Sequence, residues 1–206
     1  MRSAIILAGG SSKRLGRDKA LIKLAGKTLI LHVIDSVSKL VDEIVVVTSI
    51  DQKLAFERLL DYPIVMDEYE MRSPLIGALT GFKNVQGEYS MLLPCDTPFI
   101  SDKITSILFD LCIDMNAVIP RRPNGFIEPL QAVYRTKQAL DATKTTLRHE
   151  RFDFRSLIKN LEKIKYVSTT VLQQVDSELL TFFNINTHED LRKSKTIMEE
   201  RIQTKD

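Results

Sequence analysis

The sequence is short of cysteine, of long apolar runs and of net charge, and each shortage excludes a class of protein. Its two cysteines, Cys95 and Cys112, have neither the spacing of metal ligands nor the density of a disulfide scaffold, so both are expected to be reduced and partly buried. Its apolar runs are far shorter than the roughly 20 residues that cross a bilayer, which excludes a transmembrane helix, and no membrane partner is expected. A formal net charge of +2 is too small for the strongly basic face of a nucleic-acid binder.

The beginning of the chain also lacks the features of a secretory signal. The apolar run over residues 5–8 ends at two glycines and a cationic loop, without the length or the cleavage site of such a signal. A cytoplasmic protein is therefore expected.

What the sequence does contain is typical of a globular protein. Hydrophobic residues make up 44% of the chain and charged residues 27%, and 206 residues suit one domain, residues 1–206. Short apolar runs predict strands at residues 4–7, 44–48, 62–66, 89–93, 117–119, 130–134, 164–168 and 181–185. Apolar residues at helical spacing lie between the early strands, over residues 29–40, 54–60, 75–82 and 104–111. This alternation predicts an α/β fold with parallel strands, right-handed crossovers and a ligand site at the carboxyl ends of the strands.

The last third of the chain is less regular. A turn at residues 122–125 and a polar stretch to about residue 162 predict an elaboration of the same core. Thr187, with Glu189 and Asp190 in the first turn, predicts the start of a C-terminal helix.

A glycine pair directly follows the first predicted strand. Gly9 and Gly10 permit close approach of the main chain to a ligand and leave N–H groups free to face phosphate oxygens, although alone they indicate only a tight turn. Arg14 adds a forked donor and Lys19 a mobile point charge, the two kinds of group that bind phosphate. They belong to a basic cluster interrupted by a single acid, Asp18, and made of Lys13, Arg14, Arg17, Lys19, Lys23 and Lys27. The cluster predicts an anionic ligand at this loop.

Two familiar phosphate loops are excluded. A Walker A loop has four residues between its glycines and then Lys and Ser or Thr, whereas five residues separate Gly10 from Gly16 and Arg17 follows. The pattern G-x-G-x-x-G is also missing, which disfavours a dehydrogenase.

Asp96 follows the strand predicted over residues 89–93 and lies between two prolines. Magnesium is usually bound by one or two carboxylates together with substrate phosphates and water, so Asp96 is predicted to be a Mg²⁺ ligand. Capping of the next helix is the alternative role, but Ser101 and Asp102 are better spaced for it.

Together these segments resemble the molybdenum cofactor guanylyltransferases. The first signature is Leu7-Ala8-Gly9-Gly10, then Ser12, Arg14, Leu15 and Gly16, then Asp18-Lys19-Ala20-Leu21. The further matches are residues 94–99 around Asp96, Asp67, the segment 73–77, and the closing motif over residues 183–191. The matched segments span most of the chain.

The resemblance implies a Rossmann-like three-layer sandwich with a mostly parallel central sheet, of the nucleotide-diphospho-sugar transferase type. It implies transfer of GMP from GTP to the molybdopterin cofactor with release of pyrophosphate, Mg²⁺ on Asp96, and molybdenum-insertion proteins or molybdoenzyme chaperones as partners. The implied catalytic residues are Arg14, Lys19 and Asp96. Implied nucleotide contacts are Leu7, Ala8, Gly9, Gly10, Lys19, Thr48, Asp67 and Asp96, and implied acceptor contacts are Asn184 and Asn186.

Two positions depart from the family pattern. Thr48 stands where well-known members carry an asparagine that helps to contact guanosine, and a hydroxyl cannot make the paired contacts of an amide, so CTP or ATP stays admissible. Ser73 replaces the first glycine of the segment 73–77 and implies only a modest local change in backbone angle. The alternatives are a related transferase with another acceptor (a cytidylyl pterin cofactor, cobinamide phosphate or a sugar phosphate) and a nucleotide-binding protein without catalysis.

Overall fold

A computed structural model describes residues 1–9, 18–67 and 73–203 of the protein. Within these residues the strands are β1 Arg2–Leu7, β2 Lys23–Leu24, β3 Lys27–Thr28, β4 Glu43–Thr48, β5 Ile64–Met66, β6 Tyr89–Pro94, β7 Ala117–Arg121, β8 Ala132–Arg135 and β9 Ile164–Ser168. The helices are α1 Leu29–Val37, α2 Lys53–Glu57, α3 Pro74–Asn84, α4 Asp102–Leu111, α5 Thr136–Arg148, α6 Phe154–Lys159, α7 Thr169–Leu172 and α8 His188–Gln203. Three 3₁₀ turns lie at Lys19–Leu21, Ile50–Gln52 and Leu180–Phe182.

Seven strands form one twisted sheet in the order β5-β4-β1-β6-β8-β7-β9. The first four run parallel, as the alternation of strands and helices predicts, whereas β8 is antiparallel to both β6 and β7. Because β8 is reversed, β7 points the same way as β6, and β9 is parallel to β7. The carboxyl ends of all the sheet's strands except β8 therefore meet at one edge of the sheet, which we call the carboxyl edge.

Helices cover both faces of the sheet. Alternate residues of the central strand β1 point to opposite faces, so that Ile6 packs with α1 and α4 while Ile5 packs with α3, α5 and α6. The inner strands are buried on both faces and read as continuous Val and Ile runs for that reason. The α/β fold class predicted from the sequence, with a mostly parallel central sheet between two helical layers, is confirmed.

Helix α3 lies unusually close to β1. Ser73 caps it by accepting a hydrogen bond from the N–H of Ile76 at 3.2 Å, and Pro74 takes the first turn, where no N–H is needed. Further along the helix, a Cβ added at Gly81 would lie 2.2 Å from Cγ2 of Ile5. Only a glycine at this position lets the helix backbone come so near the strand.

The structure differs from the sequence prediction at residues 181–185. The predicted strand is wrong, because the segment forms the 3₁₀ turn Leu180–Phe182 and then an irregular stretch. The Asp176 carboxylate accepts from the N–H groups of Leu180 and Thr181 at 3.2 and 2.8 Å, which favours the turn over strand pairing. Apolar residues here are buried, which is why the segment reads like a strand.

The predicted elaboration after residue 121 consists of β8 and the helices α5 and α6. These helices pack in the same hydrophobic cluster as α3. Alanines and threonines make up much of the buried face of α5, so its apolar spacing is faint in the sequence. Helix α8 begins where predicted, and the Thr187 hydroxyl caps it by accepting from the N–H of Asp190 at 3.1 Å.

Candidate functional site

The carboxyl edge gathers most of the residues that the sequence singles out. Leu7 ends β1 and Thr48 ends β4, while Asp67 and Asp96 follow β5 and β6 closely. Backbone hydrogen bonds extend past the strands, from Ala8 N–H to the Val47 carbonyl at 2.8 Å and from Asp67 N–H to the Thr48 carbonyl at 3.1 Å. The sheet itself therefore holds Ala8 and Asp67 in place.

Lys19, Asp96 and Asn186 form a compact cluster at this edge. The Lys19 ammonium donates to Asp96 Oδ2 at 3.0 Å and to Asn186 Oδ1 at 2.5 Å. Both charged side chains are mostly buried, with 20% of Lys19 and 14% of Asp96 exposed. The segment that follows the 3₁₀ turn Leu180–Phe182 is fixed to the same place, because Ile185 N–H donates to the Asp96 carbonyl at 2.9 Å.

The turn that carries Lys19 is tied to the end of β4. Asp18 Oδ1 accepts from Ala20 N–H at 3.0 Å, and its Oδ2 accepts from Gln52 Nε2 at 2.6 Å. Gln52 Oε1 in turn accepts from the hydroxyls of Ser49 at 3.0 Å and Thr48 at 3.3 Å. Burial raises the pKa of Asp18, and the hydrogen bonds that Asp18 accepts from Ala20 and Gln52 oppose that shift.

Thr48 itself is fully buried, with 0% of its surface exposed, and its hydroxyl donates to Gln52. The side chains beside it, Ser49 and Gln52, are only partly buried. A Cβ added at Gly9 would lie 3.4 Å from Ser49 N. Gly9, which follows β1, therefore packs directly against the carboxyl end of β4.

Asp67 places an unsatisfied oxygen at the carboxyl edge. Its Oδ1 is buried and has no hydrogen-bond partner within the part of the chain that the structure describes. Burial raises the pKa of Asp67, and a hydrogen bond with Thr80 opposes that rise. A buried acceptor without a partner is costly, so this oxygen is suited to a ligand that brings a donor or a cation.

Asn184, the second predicted acceptor contact, lies on the β8 side of the cluster. Its Oδ1 accepts from Gln131 Nε2 at 3.4 Å, and Gln131 N–H donates to the Glu128 carbonyl at 3.3 Å. The Glu128 carboxylate is paired with Arg122 Nε at 2.5 Å. A line of polar contacts thus leads from the Asn184 segment to the hairpin between β7 and β8.

Sequence reasoning missed Gln52 and Gln131. Gln131 is 2% exposed beside β8, and a polar residue within a predicted strand is the signal that points to it. Gln52 has no comparable signal, since it lies in a polar stretch. Of the predicted site residues, Gly10 and Arg14 lie outside the described residues.

Among the residues that the structure describes, no group of three or more His, Cys, Asp and Glu side chains is placed to hold a metal ion. Asp96 lies beside the Lys19 cation, and a single carboxylate suits a metal that is bound mainly by substrate phosphates and water. No helix within the same residues is long and apolar enough to cross a membrane.

A mostly parallel α/β sheet that presents a lysine, two aspartates and amide side chains beyond its strand ends has its ligand site where open α/β sheets bind ligands, and the lysine and amide donors suit an anionic ligand such as a nucleotide. Comparison with known proteins makes the class specific. The chain belongs to the family of MobA-like NTP transferase domains, whose model matches residues 4–164, and it is a nucleotidyltransferase. The family resemblance predicted from the sequence is confirmed.

Individual relatives match almost the whole chain. A protein of Natranaerobius thermophilus named "Probable molybdenum cofactor guanylyltransferase" is 37% identical over 196 residues, which are 94% of each chain. The "Molybdenum cofactor guanylyltransferase" of Desulfosudis oleivorans is 31% identical over 204 residues, which are 96% of each chain.

Solved structures share the fold. Molybdopterin-guanine dinucleotide biosynthesis protein A from Archaeoglobus fulgidus has a TM-score of 0.83 at 24% identity, covering 97% of this chain and all of that one. A nucleotidyl transferase from Methanothermobacter has a TM-score of 0.74 at 20% identity, covering 97% of this chain and 99% of that one.

Proposed function

We propose that the protein transfers GMP from GTP to the molybdopterin cofactor and releases pyrophosphate. The observation that carries this proposal is the cluster of Lys19, Asp96 and Asn186 at the carboxyl edge. Relatives named as molybdenum cofactor guanylyltransferases, 31–37% identical over more than 90% of the chain, support GTP and the pterin cofactor as the two substrates.

Lys19 is proposed as the cation that meets the nucleotide phosphates. An ammonium has three N–H donors, and two of those of Lys19 are used by Asp96 and Asn186. These two acceptors hold the flexible side chain, and the third donor, for which the described residues supply no acceptor, is proposed to point at a phosphate oxygen. Phosphoryl transfer gains mostly from such positioning and from charge stabilisation. Arg14 is proposed, from the family resemblance, as a second cation on the triphosphate.

Asp96 is proposed as the residue that holds Mg²⁺. Nucleotidyltransferases of this family typically use a divalent metal. A single carboxylate fits Mg²⁺, which takes its other oxygen ligands from phosphates and water. When bound, the ion offsets the negative charge of the transferring phosphate. Asp67, with its unsatisfied Oδ1, is proposed to contact the nucleotide or its metal.

Asn184 and Asn186 are proposed to bind the acceptor, on the side of the sheet where Gln131 and Glu128 lie. Asn186 then serves both substrates, because it also holds Lys19. The proposed setting is a single nucleotidyltransferase domain, residues 1–206, in the cytoplasm. Molybdenum-insertion proteins or molybdoenzyme chaperones are its proposed protein partners.

Isothermal titration with GTP, CTP and ATP in the presence of Mg²⁺ tests the nucleotide, and pyrophosphate release in the presence of molybdopterin tests the reaction. We expect GTP to bind most tightly and to support turnover. Asp96→Asn removes the charge but keeps the shape, and we expect it to lower turnover by roughly a hundredfold or more, the scale of losing a group that stabilises the transition state.

Asp114→Asn is the matched control, because Asp114 is exposed and has φ 62°, a backbone conformation that asparagine also adopts. It should leave turnover unchanged. Preference for CTP, or full activity of Asp96→Asn with an unchanged circular dichroism spectrum, would contradict the proposal.

A further inference from the structure

The side-chain amide of Gln52 joins two segments of the site that are far apart in sequence. Its Nε2 donates to Asp18 Oδ2 at 2.6 Å, and its Oε1 accepts from Ser49 and Thr48 at 3.0 and 3.3 Å. The orientation of the amide follows from chemistry, because a carboxylate only accepts and the NH₂ group must face it. Gln52 is therefore held from the β4 side and holds Asp18 in turn.

Asp18 determines where the backbone of Lys19 lies. Its Oδ1 caps the 3₁₀ turn Lys19–Leu21 by accepting from the N–H of Ala20, whose side chain is fully buried. The turn closes with a hydrogen bond from Ile22 N–H to the Lys19 carbonyl at 3.1 Å. A shift of Asp18 would move this turn, and the Lys19 ammonium would leave its place between Asp96 and Asn186.

We propose that Gln52 is a positioning residue, which ties the Lys19 turn to the carboxyl end of β4 and so aligns Lys19 with Asp96 for the nucleotide phosphates. It acts through Asp18 and Lys19 and does not touch the reacting atoms. The inference rests on the proposed function in one respect, namely that Lys19 binds the phosphates of a nucleotide.

An exchange of the two partners tests the hydrogen bond directly. Gln52→Glu sets a carboxylate against the Asp18 carboxylate, and we expect GTP affinity to fall about tenfold or more, the scale for losing a hydrogen bond to a charged group. The double variant Asp18→Asn/Gln52→Glu restores the pairing, because the new amide at position 18 donates to the new carboxylate at position 52. That carboxylate still accepts from the hydroxyls of Thr48 and Ser49, so affinity should return to within about threefold of wild type.

A comparison of GTP with inorganic triphosphate shows whether Gln52 acts on phosphate binding or on recognition of the base. If Gln52 acts through Lys19, inorganic triphosphate loses affinity by the same factor as GTP in Gln52→Glu, measured by competition with a fluorescent GTP. In a Lys19→Ala background Gln52→Glu should then have no further effect. Gln174→Glu, at an exposed glutamine that follows α7, is the charge-matched control and should bind both ligands like wild type.

Three results would overturn the inference: wild-type GTP affinity in Gln52→Glu, an exchange variant that folds but binds no better than Gln52→Glu, or a loss confined to GTP with triphosphate unaffected. If Gln52→Glu does not fold, Gln52→Leu removes the amide without adding charge, and unchanged affinity in that variant also overturns it. Failure of the wild-type protein to bind GTP would instead contradict the proposed function.

Discussion

At the scale of single residues, the site combines charged groups that are satisfied with one that is not. Lys19 and Asp96 satisfy each other, and Asp18 has a donor for each of its oxygens. Asp67 differs, because its Oδ1 is buried without a partner within the described residues. Burial of this unpaired oxygen lowers the stability of the folded protein, and a ligand that brings a donor or a cation would offset the loss.

The first prediction concerns the pH dependence that Asp67 causes. Burial raises its pKa in the folded protein above the usual value of 3.8, so the folded state holds the proton more tightly than the unfolded state. The contribution of Asp67 to folding stability therefore decreases as the pH rises from about 3.8 through the folded pKa. Asparagine does not ionise. The free energy of unfolding of Asp67→Asn, relative to that of wild type, should therefore be higher at pH 7 than at pH 4.

Urea unfolding at both pH values measures the difference. Asp61→Asn, at an exposed carboxyl near the start of β5, is the control and should show no such gain. An Asp67→Asn variant that tracks wild type at both pH values would mean that the carboxyl is better solvated than its buried Oδ1 indicates.

At the scale of elements, the distance between α3 and β1 depends on a glycine. Gly81 faces Ile5, a β-branched and fully buried residue of the central strand that cannot easily rotate away. The amino end of the same helix lies near Asp67, since a Cβ added at Gly77 would be 3.7 Å from Asp67 Oδ2. The packing of this helix therefore helps to set the place of the site carboxylate.

We predict that Gly81→Ala lowers the free energy of unfolding by about 1–3 kcal/mol, the cost of an overpacked core, although alanine is the better helix former. Gly77→Ala is the matched control on the same helix, because the nearest atom to its Cβ would be the flexible end of Leu7 at 3.3 Å, while Asp67 Oδ2 at 3.7 Å and Val47 Cγ1 at 3.9 Å lie at ordinary van der Waals distance. It should cost less than Gly81→Ala. In an Ile5→Ala background the penalty of Gly81→Ala should vanish, and equal penalties in both backgrounds would contradict the steric explanation.

At the scale of the whole molecule, the two cysteines report on cooperative opening. Both thiols are buried and free, and burial raises the pKa of Cys95 far above its usual range and that of Cys112 to about 12. Cys95 is adjacent to Asp96, whereas Cys112 lies beyond α4. Labelling of Cys95 therefore measures opening of the site, and labelling of Cys112 measures opening of another part of the same hydrophobic cluster.

We predict that neither thiol reacts measurably with Ellman's reagent at pH 8 on the timescale in which both react in 6 M guanidinium, because the thiolate is the nucleophile and is almost absent in the fold. Slow labelling should proceed at one rate for both cysteines, and GTP should slow it further by stabilising the folded state. Faster labelling of Cys95 than of Cys112, followed by mass spectrometry, would instead show that the site opens by itself.

Much of this molecule follows from local patterns in the sequence. Hydrophobic period predicts the parallel strands and the helices between them, since each element must bury one face or stripe, and it places the glycine pair and Asp96 at strand ends. It fails at residues 181–185 and is faint along α5, where burial does not follow a simple period.

The contacts of the site depend on the tertiary structure. Lys19 meets Asp96 across 77 positions and Asn186 across 167, and Gln52 meets Asp18 across 34. No periodicity records such distances, because they depend on which strands become neighbours and where the chain returns after them. The sequence by itself determined the early strands and helices and the residues at their ends, whereas the folding of the sheet decided which of those residues share hydrogen bonds.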